Sequence, residues 1–110
     1  MNKEPSINYV YIFTNKTISV FDIGVTTDLL AIIEANKNQN YGNENSFATK
    51  LKCFDLLYYE LFEKYSEAKE RRSFLQRLSQ KKKESIITKL NPRFQSLNHK
   101  FEQQNLLQEA

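Results

Sequence analysis

The sequence predicts an α+β domain, namely a small three-stranded antiparallel sheet flanked by three to four helices. Two runs of β-branched and aromatic residues, 9–13 and 18–25, are separated by a short polar break, which is typical of a β-hairpin. A third run, 51–62, is nearly continuous in apolar and aromatic residues and predicts another strand. Apolar residues spaced as in α-helices follow the second and third runs. A chain of 110 residues is long enough for one domain with its own core.

Three segments are predicted along the chain: a disordered N-terminus over 1–7, the folded domain over 8–97, and a C-terminal tail over 98–110. Hydrophobic residues make up 40% of the sequence and charged residues 26%, which is ordinary for a soluble domain. No apolar run approaches the roughly 20 residues that cross a bilayer, and the first residues lack the hydrophobic segment of a signal peptide. We therefore expect a cytoplasmic protein that does not contact membranes.

The hairpin is expected to end near Gly24, where a strand often bends or lets another backbone approach closely. Thr26 or Thr27 is expected to cap the helix that follows over 28–37. Asp28 suits the first turn of that helix, because the helix dipole favours negative charge there. The helix is apolar nearly all round, so it is predicted to be buried on more than one side.

An Asn-rich loop over 37–46 and a helical turn over 47–50 are expected before the third strand. The continuous apolar character of 51–62 is interpreted as that of a central strand covered on both faces. Cys53 is the only cysteine, so it has no partner for an internal disulfide, and with His99 alone it makes no zinc site. It is interpreted as a small buried hydrophobic residue within the strand.

A helix over 67–78 is predicted after the third strand, with Ser66 as its N-cap. Its apolar stripe has a gap at Arg71 and Arg72, which places at least one guanidinium at the border of the buried face. The stripe consists of Ala68, Leu75 and Leu78, with Phe74 beside it.

Another helix is predicted over 80–90, with Ser79 as its cap and Asn91-Pro92 as its end. Its inward-facing residues are expected to be Ile86, Ile87 and Leu90. A short helix is expected over 97–109, and its apolar residues Leu97, Phe101 and Leu106 offer one way to cover the apolar helix at 28–37.

Positive charge is concentrated in the second half of the chain. The formal net charge is +3 overall, but the segment 69–93 holds nine basic residues against two acidic ones, a net charge of +7. Such a concentration is typical of nucleic-acid-binding surfaces, because basic side chains bind phosphates without reading sequence. The candidate nucleic-acid-binding residues are Lys69, Arg71, Arg72, Arg77, Lys81, Lys82, Lys83, Lys89 and Arg93.

Two tripeptides carry a family resemblance. Tyr9-Val10-Tyr11 in the first strand and Asp22-Ile23-Gly24 in the second resemble the Gly-Ile-Tyr and Tyr-Ile-Gly motifs of the GIY-YIG nuclease domain, over roughly residues 8–97. Residues similar to those of small stand-alone members follow in order: Asp28-Leu29, Leu57-Tyr58-Tyr59-Glu60, Glu67-Ala68, Lys81-Lys82-Lys83 and Asn91-Pro92. The resemblance implies the same α+β fold as the pattern of strands and helices.

The resemblance implies a metal-dependent endonuclease site, most of which is replaced here. Family members use a first-strand Tyr, a second Tyr, an Arg and a His on the following helix, and a metal-binding Glu on a later helix. Tyr11 matches the first Tyr, and the other four positions fall on Asp22, Ile32, Asn36 and Arg72, with Glu70 or Arg71 as alternatives for the last. Isoleucine offers phosphate nothing and arginine repels a divalent cation, so no turnover by the family mechanism is expected.

Each of these residues also has a purely structural interpretation. Tyr11 is then a packed strand tyrosine, Asp22 a solvent-facing strand aspartate and Ile32 a core residue. Arg72 is then a salt-bridge partner of Glu60 or Glu63. The three consecutive lysines are then a solvated helix start, although the helix dipole disfavours cations at an N-terminus.

Three functional hypotheses follow. The first is an impaired nuclease-like domain that binds nucleic acid, with DNA expected, through the basic segment and without a cofactor or a metal site. The second is a protein-interaction or homo-oligomerisation module whose face is Leu30, Ala31 and Ile32. The third is a residual endonuclease that uses Mg²⁺ with Asp22, Glu34 or Glu70.

Overall fold

The structure, a computed structural model, describes residues 7–37 and 52–102. The strands are β1 (Asn8–Thr14), β2 (Phe21–Thr26) and β3 (Asp55–Phe62), and they form an antiparallel sheet in the order β2-β1-β3. The helices are α1 (Leu29–Lys37), α2 (Tyr65–Arg77) and α3 (Gln80–Leu90), and residues 98–102 are also helical. The predicted α+β class with a three-stranded antiparallel sheet is therefore confirmed. Three predicted features lie outside the described residues: the part of the 37–46 loop that follows residue 37, the turn over 47–50, and the tail beyond residue 102.

β1 is the central strand because it pairs with β2 on one side and with β3 on the other, and its alternating side chains are covered on both faces of the sheet. One face packs Val10 and Ile12 with the buried side chains of α2 and α3, namely Ala68, Leu75 and Ile87. On the other face, Phe13 packs against Leu29 and Ile33 of α1. Cys53, which precedes β3, and Leu97, which follows α3, complete this cluster. The sheet thus separates two apolar clusters, and Tyr11 lies on the second face beside Phe13.

The connection between β1 and β2 is longer than predicted. β2 begins at Phe21 rather than at residue 18, because the Asn15 side chain organises the intervening loop. Its carboxamide oxygen accepts hydrogen bonds from the backbone N–H of Ser19 at 2.9 Å and of Val20 at 3.3 Å. Ile18 has a φ of 54°, a conformation that a β-strand does not allow.

β3 is an edge strand, so its interpretation as a central strand is wrong. A β-bulge explains its continuous apolar run: Phe13 pairs with Leu56 but Ile12 pairs with Tyr58, which leaves Leu57 as the extra residue. Leu57 and Tyr58 therefore both join the cluster under α2 and α3, while Leu56 joins the opposite one. Cys53 is buried as predicted, but it precedes β3 rather than lying within it.

The outer edge of β3 is closed by the chain that follows α3. The Leu97 N–H donates to the Leu56 carbonyl at 2.7 Å, and the Asn98 side chain both accepts from the Leu56 N–H and donates to the Phe54 carbonyl at 3.0 Å. The Asn91 amide donates to the Leu57 carbonyl at 3.1 Å. These side chains replace the hydrogen bonds that a fourth strand would supply.

α1 is capped by Asp28, not by Thr26 or Thr27. The Asp28 carboxylate accepts from the Ala31 N–H at 3.0 Å, and the Thr26 hydroxyl accepts from the Asp28 N–H at 3.1 Å. The prediction that this helix is buried on more than one side is wrong, because its fully buried residues, Leu29 and Ile33, form a single stripe four residues apart.

α2 starts earlier than predicted, at Tyr65, and Lys64 is its N-cap without a side-chain hydrogen bond, so Ser66 is not the cap. α3 matches its prediction: Ser79 accepts from the Lys82 N–H, and Asn91 ends the helix. Of its three expected inward residues only Ile87 is fully buried, and Leu90 on the last turn is 46% exposed. Among the described residues, no helix is long and apolar enough to span a membrane.

Candidate functional site

Tyr11 lies against Gly24, and this contact requires the glycine. The two residues face each other in the β1–β2 ladder, so their side chains share one face of the sheet. A Cβ atom at position 24 would stand 2.5 Å from Cζ of the Tyr11 ring and still closer to the hydroxyl oxygen. The absence of a side chain on Gly24 is therefore what lets the phenol lie across β2.

Asp22 and Arg72 are the charged groups that act on the Tyr11 hydroxyl. Burial and the negative charge of Asp22 raise the pKa of Tyr11, and the positive charge of Arg72 opposes them only in part. Tyr11 is consequently a neutral phenol near neutral pH, able to donate a hydrogen bond and poorly suited to remove a proton from water. The structure thus brings together three of the residues singled out in the sequence, one from each of β1, β2 and α2.

Asp22 is half-buried rather than solvent-facing, which corrects its structural interpretation. Burial raises the pKa of its carboxyl group. Its charge, together with the larger effect of burial, raises the pKa of the Cys53 thiol to about 11. Asp22 has no hydrogen-bond or ion-pair partner among the described residues.

Arg72 is half-buried and lacks a counter-ion within the described part of the chain. Its Nε atom is buried and has no hydrogen-bond partner there. The predicted alternative of a salt bridge to Glu60 or Glu63 is wrong for Arg72, because Arg71 forms it instead. The described residues thus supply no acceptor for the Nε–H group of Arg72.

Arg71 is bound to Glu60 in a bidentate ion pair, with Nε–Oε1 at 2.8 Å and Nη2–Oε2 at 2.9 Å. The Tyr58 hydroxyl donates to the same carboxylate at 2.5 Å. Burial alone would raise the pKa of Glu60, but the hydrogen bonds from Arg71 and Tyr58 outweigh it and lower that pKa. The guanidinium of Arg71 also lies 5.3 Å from the centre of the Phe74 ring. Arg71 therefore joins α2 to β3 through this ion pair, and its part in nucleic-acid binding stays a prediction.

The two α1 positions implied by the resemblance differ in character. Ile32 is half-buried and packs against the cluster that contains Leu29 and Ile33. Asn36, one turn later, has a buried amide nitrogen without a hydrogen-bond partner among the described residues. Asn36 is thus, like Arg72, a donor that has no acceptor in this part of the chain.

The predicted interaction face on α1 is only partly open. Leu30 and Ile32 are half-buried and Ala31 is exposed. The helical residues 98–102 lie beside α1, because Glu102 forms an ion pair with Lys37 and the Phe101 ring packs 5.2 Å from that of Tyr59 in the same cluster.

Most of the other basic residues of 69–93 are available to a partner. Lys83 is half-buried, and Lys69 lies 5.5 Å from the centre of the Tyr65 ring. The exposed members are Lys69, Arg77, Lys81, Lys82, Lys89 and Arg93.

A cleft of about 230 Å³ borders this site at the outer edge of β2. Its walls among the described residues are Phe21, Asp22, Ile23, Gln76 and Lys83. The Gln76 amide nitrogen donates to the Ile23 carbonyl at 3.2 Å, which ties α2 to β2 at this point. Sequence reasoning missed Phe21 and Gln76, because no motif marks either of them and only the folded chain brings them next to Asp22.

The described residues around Tyr11 do not form a set suited to a divalent metal ion. No group of three or more His, Cys, Asp or Glu side chains suited to hold a metal lies among the described residues. The charged group of α2 that acts on Tyr11 is a guanidinium, which would repel Mg²⁺. Of the three acids named in the residual-nuclease hypothesis, Asp22 is half-buried and acts on Tyr11, whereas Glu34 and Glu70 are exposed.

Comparison with known families agrees with the fold described above. The family model described as the GIY-YIG catalytic domain matches residues 7–85, which include the three strands, the first two helices and the start of α3. The chain therefore belongs to the GIY-YIG family, and the membership implies a nuclease-like function that involves nucleic acid. No curated protein and no solved structure matches the chain.

Proposed function

We propose that this domain binds nucleic acid, DNA in the first instance, through its phosphates and does not cut it by the metal-dependent route of the family. The observation that carries the proposal is Arg72, a half-buried guanidinium beside Tyr11 with no counter-ion among the described residues. A phosphate oxygen is the acceptor that such a group is suited to bind.

The family resemblance gives the proposal its second support. By the resemblance of the motifs, the position of the metal-binding glutamate falls on Arg72, with Glu70 or Arg71 as alternatives; Arg71 is bound to Glu60, and Glu70 is exposed. An arginine there supplies positive charge where the family places a metal ion, so attraction for phosphate survives without a bound water to activate. Ile32, in the place of the family arginine, removes a further contact to the phosphate.

The basic surface supplies the remaining affinity. Exposed lysines and arginines on α2, α3 and the turn after α3 contact phosphates by releasing counter-ions, without sequence preference. Binding of this kind is expected at micromolar affinity and falls steeply with salt. A cytoplasmic location remains a prediction.

The proposal is tested by fluorescence anisotropy with a labelled 20-base-pair duplex, titrated at several concentrations of KCl. Arg72→Ala is expected to lose about 1.5–3 kcal/mol of binding free energy, because it removes a charge-assisted hydrogen bond. Arg77→Ala, which removes an exposed charge from the same helix, is the matched control and is expected to lose much less. Affinity that does not change with salt, or no binding at 50 mM KCl, would refute phosphate binding.

Cleavage is tested separately on the same duplex with Mg²⁺ and with Mn²⁺. We expect none above the rate without protein. Cleavage that disappears in the Asp22→Ala variant would instead support the residual-endonuclease hypothesis.

The interaction hypothesis depends on an open apolar face at Leu30, Ala31 and Ile32 of α1. The contacts that Glu102 and Phe101 make beside that helix weaken this hypothesis. Sedimentation equilibrium tests it, since a strict monomer would argue against a self-association surface on α1.

A further inference from the structure

Asp22 lies on the same face of the sheet as Tyr11. It pairs with Phe13 in the β1–β2 ladder, and Tyr11 pairs with Gly24 two positions further along β2, so these side chains project to one side. Positions 22 and 24 are about 7 Å apart, because a strand rises about 3.3 Å per residue. The Tyr11 hydroxyl occupies the space that a Cβ atom of Gly24 would need. The Asp22 carboxylate is therefore a neighbour of that hydroxyl.

Arg72 reaches the same place from α2. Gln76, one helical turn after Arg72, donates to the Ile23 carbonyl at 3.2 Å, so this part of α2 lies against β2 next to Asp22. The positive charge of Arg72 and the negative charge of Asp22 both act on Tyr11. No ion pair joins these two charged groups. Tyr11 thus lies near an acid and a guanidinium that do not neutralise each other.

The two charged groups need opposite kinds of partner. The buried Nε–H of Arg72 has no acceptor among the described residues. The half-buried carboxylate of Asp22 has no donor in the same part of the chain. Polar groups that are withdrawn from water lose hydrogen bonds unless a ligand supplies them. A ligand that satisfies both groups presents an acceptor and, close to it, a donor.

A ribonucleotide has this combination of groups. A phosphate is the acceptor suited to Arg72, whereas the negative charge of Asp22 would repel a phosphate oxygen, so the group that faces Asp22 must be a donor. The 2′-hydroxyl of ribose is on the carbon next to the one that bears the 3′-phosphate, and the N–H groups of the base lie farther from that phosphate. This hydroxyl is also the group by which a protein distinguishes RNA from DNA.

We propose, on the basis of the nucleic-acid binding argued above, that Asp22 accepts a hydrogen bond from the 2′-hydroxyl of the nucleotide whose phosphate binds Arg72. The site then prefers a ribonucleotide strand to a deoxyribonucleotide strand with the same bases. DNA still binds through Arg72 and the basic surface, but Asp22 repels its phosphate without a compensating hydrogen bond.

The test uses the full chain and three labelled 12-nucleotide strands, made of deoxyuridine, of uridine, and of 2′-fluoro-2′-deoxyuridine. The three strands carry the same base, and the fluorine atom keeps a ribose-like sugar conformation but cannot donate a hydrogen bond. The uridine strand is expected to bind about tenfold more tightly than either of the others, because a hydrogen bond to a charged group is gained. This comparison needs no variant. Equal affinities for the uridine and fluorinated strands would overturn the inference.

Asp22→Ala is expected to abolish the preference for uridine, while the deoxyuridine strand binds at least as tightly as before because the repulsion of its phosphate is removed. Glu63→Ala is the matched control, since it removes an acid from an exposed position between β3 and α2 and is expected to keep the preference. A preference that survives in a folded Asp22→Ala protein would contradict the contact.

The end of a strand also carries a hydroxyl group close to a phosphate. The three strands therefore end in a 3′-phosphate, which removes the terminal 3′-hydroxyl from the comparison. A deoxyuridine strand with a free 3′-hydroxyl is measured beside them. If this strand binds more tightly than its phosphorylated form, Asp22→Ala removes the difference and uridine shows no preference, the partner of Asp22 is a strand end and the 2′-hydroxyl assignment fails.

A last arm separates this inference from the proposed function. Uridine 3′-monophosphate and deoxyuridine 3′-monophosphate are titrated into the protein and followed by NMR. A preference for the ribonucleotide that Asp22→Ala removes supports the contact even if no strand binds. Strands that bind with the expected salt dependence but without a preference for uridine would overturn the inference and leave the proposed function standing.

Discussion

At the scale of single residues, the contact between Tyr11 and Gly24 links β1 and β2 at the candidate site. Tyr11 and Gly24 stand out through their motifs, and the ladder explains why both are needed, since the phenol fills the space above the glycine. The helical period placed a guanidinium at the edge of the buried face. It did not decide between Arg71 and Arg72, because which one reaches Glu60 depends on how α2 crosses the sheet.

The Tyr11–Gly24 contact predicts a steric effect. Gly24→Ala is expected to destabilise the domain by about 1–3 kcal/mol, because its methyl group overlaps the Tyr11 ring and the packed strands leave little room to adjust. Urea unfolding followed by circular dichroism measures this cost. In the Tyr11→Ala background the same substitution should cost much less, and an equal cost in both backgrounds would show that the ring is not the obstacle.

At the scale of elements, local patterns predicted well wherever the cause is local. Ser79 caps α3 as predicted because capping involves only neighbouring residues. The third strand was wrongly predicted to be central because its apolar run arises from a bulge at Leu57, and a bulge is created by pairing with β1. Asn98 closes the edge of β3 by accepting a hydrogen bond from Leu56, which lies 42 residues earlier in the chain. No local sequence pattern predicts such a contact.

The Glu60–Arg71 ion pair joins β3 to α2 and predicts a pH dependence. The folded-state pKa of Glu60 is lowered, so its contribution to stability is present above the unfolded-state value and is lost as the pH falls through the folded value. Glu60→Gln is expected to cost about 1–3 kcal/mol at pH 7 and less at pH 3, which urea titrations at both pH values measure.

Lys69→Ala, on the exposed side of α2, is the control for that measurement and should change stability little at either pH. A Glu60→Gln cost that is the same at pH 3 and pH 7 would contradict the assignment. At the alkaline end, burial and the hydrogen bond to Glu60 raise the pKa of Tyr58 to about 12, so stability should fall as the pH rises from about 10 through that value.

At the scale of the whole molecule, the concentration of positive charge in 69–93 could be predicted directly from the sequence, and most of these side chains stay exposed in the fold. Of the nine basic residues in 69–93, six are exposed, one is committed to Glu60 and two, Arg72 and Lys83, are half-buried beside Tyr11 or in the β2 cleft. The fold thus separates the exposed basic residues, which form a broad surface, from the half-buried Arg72 and Lys83. Composition alone could not distinguish these two groups.

The three lysines at the start of α3 predict opposite changes in stability and in binding. They occupy positions 81–83 in the first turn after the Ser79 cap, where the helix dipole disfavours positive charge and no acidic residue compensates. Replacing all three by glutamine should therefore stabilise the fold by about 1 kcal/mol, while the duplex binds more weakly and the slope of log K against log salt becomes shallower by up to about 3. Thermal unfolding and anisotropy titrations on the same protein measure both effects, with Lys100→Gln as an exposed control outside this helix. A variant that loses both stability and binding would mean that the lysines support the fold, whereas a gain in stability with unchanged binding would remove them from the nucleic-acid surface.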